Sequence, residues 1–151
     1  MSLEQLCWLA TAAYGIHIAE EYLLHWREWA HSISGVEVSR GYFWLMNSLV
    51  IVLGAVCATL APTHPAIALA FPALMLINAT FFHVGAFLWT RGRFSPGILT
   101  AVLLFYPIGI GCFKSASGAG LLTAGSVAES FGIAALLMAA PLLLLRARKK
   151  A

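Results

Sequence analysis

The sequence predicts an all-α membrane protein, a bundle of five transmembrane helices with its N-terminus outside and its C-terminus in the cytoplasm. Three observations predict it. Apolar residues make up 61% of the 151-residue chain and charged residues only 10%, against about 25% charged in ordinary soluble domains. Five stretches come close to the ~20 mostly apolar residues that cross the hydrocarbon core. The basic residues collect in alternate connections and in the tail. Such a chain fits one membrane domain over 1–151, with the lipid bilayer as its main partner. There is no basic stripe on a soluble face of the kind that nucleic acid requires.

The helices are expected at about 3–26, 41–61, 66–90, 96–113 and 121–145. The first opens with Glu4 and no basic region, so no cleaved signal peptide is expected. Pro62-Thr63-His64-Pro65 separates the second from the third. Arg91-Gly92-Arg93 ends the third, and Ser95-Pro96-Gly97 opens the fourth, with Ser95 as N-cap and Pro96 at the first helical position. Ser115 to Gly120 is a small-residue turn before the fifth, whose Gly and Ala content suits close helix packing. Cys7, Cys57 and Cys112 lie far apart in apolar segments and match no zinc spacing, so they are read as buried packing groups.

Orientation follows from charge. With the C-terminal tail inside, Arg27, Arg40, Arg91, Arg93, Arg146, Arg148, Lys149 and Lys150 all face the cytoplasm, and only Lys114 faces out. The chain is therefore expected to be a multi-pass integral protein (of the inner membrane, if the source is a bacterium).

Against this apolar background His17-Ile18-Ala19-Glu20-Glu21-Tyr22 stands out. A charged group near the middle of a crossing costs about 2.5–3.5 kcal/mol on insertion scales. Interhelical hydrogen bonds return only ~0.6 kcal/mol each on average, too little to explain three ionisable groups. Helical geometry puts Tyr14, His17, Glu21 and His25 on one face, with Glu20 three residues after His17. At 1.5 Å per residue, Asn47 in the second helix and His83 in the third lie at the depth of Glu21 to within about one turn. Asn78 lies deeper; being five before His83, it is expected off His83's face, which Thr80 shares better. Thr100 lies near the start of the fourth helix, also toward the cytoplasm. Glu129 is nearer the outer half and stays outside this group.

With His17-x-x-Glu20-Glu21, Asn78-Ala-Thr-Phe-Phe-His83, Arg93-Phe-Ser-Pro-Gly97 followed by Thr100, and Pro107, the chain resembles the family of small membrane proteins named for an H-x-x-E-E motif. The family has no settled activity, so the resemblance implies a site and no particular reaction.

Two His and two Glu are ligands suited to zinc or iron. The first expectation is therefore a membrane-embedded, metal-dependent enzyme: a hydrolase, isomerase or oxidoreductase acting on a lipid or small apolar molecule. His17, Glu20, Glu21 and His83 are its candidate ligands; His17, Glu20 and Glu21 are also its candidate catalytic groups, with Glu20 as general base or fourth ligand. Asn47, Asn78, Thr80 and Tyr14 would support them. The alternative is a proton-coupled transporter or small-molecule binding protein that uses the same cluster without metal. Five helices are few for transport, so that reading needs a homo-oligomer, and five crossings exclude an inverted repeat of equal halves.

Overall fold

A computed structural model of the chain describes residues 1–148. Lys149 and Lys150 of the basic tail lie outside the described residues, as do the side chains of Arg146 and Arg148. Every element among the described residues is helical: α1 (Leu3–Leu23), α2 (Trp26–Ser34), α3 (Arg40–Leu60), α4 (Pro65–Trp89), α5 (Ile98–Gly118) and α6 (Ala124–Arg148).

Four of these, α3, α4, α5 and the Ala124–Pro141 part of α6, are long and apolar enough to cross a membrane. Their outward faces carry exposed Leu45, Leu49 and Val52, then Phe81 and Leu88, then Leu99 and Leu103, then Leu136 and Leu137. A surface this apolar is compatible with a bilayer and unusual for a soluble monomer. Helix α1 matches α3 in length, at 21 residues, but carries Glu4, Glu20 and Glu21 and is the fifth expected crossing that falls outside this set.

Helix α1 packs against α3, α4 and α5, and α6 packs on α4. The side of this most polar long helix that carries His17 and Glu21 is thus covered by apolar helices, while Trp8, Leu9 and Ile16 on its other side stay exposed. Small residues allow the approach: a Cβ on Gly54 of α3 would lie 2.6 Å from Thr11 Oγ1 of α1 and 2.8 Å from Phe71 of α4. One apolar cluster, around Tyr14, Phe43, Phe71, Met75 and Phe105, fills the middle of the bundle. A second, around Leu3, Leu69 and the buried Cys7 and Cys112, lies toward the N-terminal end of α1.

Three expectations need correction. The first helix does not run to Trp26. It ends at Leu23, because His25 adopts a left-handed φ of 57°, and α2 occupies what was read as a loop after residue 26. Helix α2 escapes a search for apolar runs because only one face is apolar, with Trp26, Trp29, Ala30 and Ile33 turned inward. The fourth long helix begins at Ile98, not Pro96, and extends to Gly118. Its N-cap position is Gly97, at φ 94°. Finally, α4 is not a plain α-helix. Residues Asn78–Val84 are π-helical, as are Ala101–Phe105 of α5, and the two widened segments pack on each other.

Candidate metal centre

The site is built from α1, the π segment of α4 and the turn that opens α5. His17 and His83 are fully buried and Glu21 nearly so. One oxygen, Glu21 Oε1, lies 3.6 Å from His17 Nε2 and 3.6 Å from His83 Nε2. The two imidazoles meet edge to face, with centroids 4.8 Å apart at 87°. All three ligand atoms fall within 4.8 Å of one another.

A separation of 3.6 Å is too long for a hydrogen bond, and neither Nε2 has any other partner. A buried, unpaired polar atom costs roughly 1–3 kcal/mol, and here two face one carboxylate oxygen. The two Glu21–histidine spacings suit a common ion instead. Ligand atoms bonded at ~2.0–2.2 Å to a tetrahedral ion sit ~3.3–3.6 Å apart.

The far side of each ring is held. His17 Nδ1 lies 2.7 Å from Thr100 Oγ1, and His83 Nδ1 lies 3.2 Å from Ser95 Oγ. The Thr100 hydroxyl donates to Glu20 Oε2 at 2.5 Å. With its proton committed there, Thr100 accepts from His17, so Nδ1 of a neutral His17 carries the hydrogen. Nε2 is then left with its lone pair toward Glu21. A partner on one ring nitrogen fixes which nitrogen is free to ligate.

Glu20, expected as a fourth ligand or general base, does not join the group. Its carboxylate accepts from the backbone N–H of Gly97 (3.0 Å), Leu99 (3.2 Å) and Thr100 (2.8 Å). It caps the first turn of α5 from another helix, where unpaired amides and the helix dipole favour an anion. Ser95, expected as that cap, is instead the partner of His83. Gly97 closes the site from above. A Cβ there would lie 2.5 Å from His83 Cε1 and 2.7 Å from His17 Cε1, so only glycine lets the turn cross both rings.

The remaining candidates divide. Tyr14 packs its ring edge on His17 and stacks on Phe105. Tyr14, Asn47 and Asn78 line, with Glu21 and His83, a cavity of about 540 Å³. Asn47 Nδ2 donates to Phe43 O within its own helix, at 3.0 Å; Asn78 Oδ1 is buried and unpaired. Thr80 is not part of the site: it is exposed and its hydroxyl meets Tyr106 OH at 3.1 Å. The π-helix explains the exchange. With i to i+5 bonding, residues five apart align, so Asn78 shares His83's side and Thr80 is turned away. Thr100 and Ser95, the direct partners of the two histidines, stand in the sequence as polar residues near a helix start and within the segment that carries the family resemblance, with nothing there to pair them with His17 and His83.

A family model described as a protein of unknown function with HXXEE motif matches residues 8–112. No curated protein and no solved structure matches the chain.

Proposed function

The chain belongs to the family of proteins of unknown function with an HXXEE motif, and on that premise we propose that it is a multi-pass membrane enzyme whose His17, Glu21 and His83 hold a divalent cation. In this reading α1 is the fifth crossing, packed on α3, α4 and α5. The N-terminus is outside, and the basic connections and tail are cytoplasmic.

The observation that carries the reading is the pair of buried, unpartnered Nε2 atoms equidistant from one Glu21 oxygen. Two imidazoles and one carboxylate suit zinc or iron, and three protein ligands leave a position open for substrate, the pattern of a catalytic site. A cation so held supplies Lewis acidity toward a substrate oxygen. The chain's own groups do the rest. Thr100 and Ser95 orient the imidazoles, Glu20 anchors Thr100, and the cavity reached past Glu21 and His83 receives a lipid or small apolar molecule. Its apolar walls keep water away, which strengthens every charge interaction inside.

The continuous run Glu20–Thr100–His17 favours a second reading, in which the same groups relay a proton without metal. Elemental analysis of the detergent-purified full chain separates the two. The metal reading expects about one zinc or iron per chain, with loss of most of it in His17→Ala and in Glu21→Gln. A wild-type chain that holds no stoichiometric metal after loading with zinc or iron would sink it.

A further inference from the structure

A second, smaller cavity of about 180 Å³ adjoins the large one and differs from it in chemistry. Glu21, Trp26 and Phe43 belong to the walls of both. The larger is lined mainly by aromatic and aliphatic side chains, and among the described residues no Lys or Arg borders it. The smaller is lined by His25, Arg27 and Arg40 on one side of Glu21, with Glu28 beside them.

The basic groups there are unequally engaged. Arg27 Nε donates to Val38 O at 2.7 Å. Its guanidinium also lies 3.8 Å from the exposed Glu28, a pair that screening weakens. Arg40 has no ion-pair partner among the described residues. The left-handed His25 sets this geometry. By ending α1 just past Glu21 it turns Trp26 and Arg27 back over the site, so that one short stretch closes the apolar cavity and edges the basic one.

From this juxtaposition we infer that the ligand is an amphiphile with a phosphate-type anionic head, its apolar body in the large cavity and its head against Arg27 and Arg40. The junction of body and head then lies beside Glu21, which borders both cavities. A neutral-headed amphiphile would leave Arg40 unused. An anionic head in the large cavity would meet no cation among the described residues. A free phosphate would leave the apolar walls empty. Arginine suits the role because its planar fork binds phosphate oxygens in pairs.

The inference deepens the proposed function, and its test fails separately from it. Calorimetry on the full chain in uncharged detergent compares dodecyl phosphate, dodecanol and inorganic phosphate. Dodecyl phosphate is expected to bind at least about tenfold more tightly than either of the others. Arg40→Gln, at an exposed position, should weaken dodecyl phosphate by about tenfold and leave dodecanol unchanged. His17→Ala should keep the preference for dodecyl phosphate, whether or not the wild type proves to hold metal. Equal binding of dodecanol and dodecyl phosphate, or no effect of Arg40→Gln, overturns the inference while leaving the metal reading intact. Inorganic phosphate binding as tightly as dodecyl phosphate also overturns it, because the apolar cavity would then play no part.

Discussion

Two carboxylates adjacent in sequence do different work. On a helix, neighbours point about 100° apart. Glu21 therefore meets the two imidazoles while Glu20 reaches the α5 turn. The hydroxyl of Thr100 joins the two roles, since it faces His17 Nδ1 and Glu20 at once. If the metal reading holds, Thr100→Val removes that hydroxyl with little change in volume. It should lower metal affinity by about 10–100-fold, the usual cost of losing a group that orients a ligand. Thr80→Val, whose hydroxyl meets Tyr106 outside the site, should leave affinity unchanged. Metal titration of both variants checks this, and equal affinities would remove Thr100 from the site.

The π segments act as elements, each with an identifiable cause. Pro107 has no N–H for the carbonyl four residues back, and its ring pushes that carbonyl aside, which suits a widened turn at Ala101–Phe105. In α4 the Gly85 N–H donates five residues back to Thr80 O, and a Cβ on Gly85 would lie 2.9 Å from that oxygen. Widening at Asn78–Val84 turns His83 toward Glu21 and brings Asn78 to the same cavity. Gly85→Ala, whose Cβ would crowd Thr80 O, should return this stretch toward α-helical winding with its residue count unchanged and so swing His83 by ~100° relative to the preceding turns. The expected result is near-normal helical circular dichroism with loss of bound metal. Retention of stoichiometric metal would show that the π winding does not place His83.

At the scale of the molecule, the proposed topology rests on loop charge and on the place of α1. A helix that carries Glu20 and Glu21 is tolerable in a bilayer only when other helices cover it, and α3, α4 and α5 do so. The native cysteines are buried, so single cysteines at exposed positions report sidedness cleanly. Ser2→Cys and Thr63→Cys should label from outside, and Ser32→Cys and Arg93→Cys only from the cytoplasm. If Ser2→Cys and Ser32→Cys label from the same side, α1 does not cross, and the odd number of crossings is wrong.

The sequence by itself determined the helical class, four of the five stretches it offered as crossings, and the convergence of His17, Glu21 and His83, because hydropathy and helical periodicity are local properties of the chain. Depth counted along each helix, from ends assigned by loop charge, put Glu21 and His83 at one level, and the two lie 3.6 Å apart. Facing within α4 did not follow from that counting. An α-helical period put Thr80 with His83 and Asn78 aside, and a single widened turn reverses the order. The division of labour between Glu20 and Glu21 was equally invisible. It depends on where the first turn of α5 lies in space, 77 residues away along the chain. Helix α2 was missed because its one apolar face covers a cavity that exists only once α1, α3 and α4 have packed. Tertiary structure alone decided these points, since the orientation of a ring or a carboxylate is set by the groups that surround it.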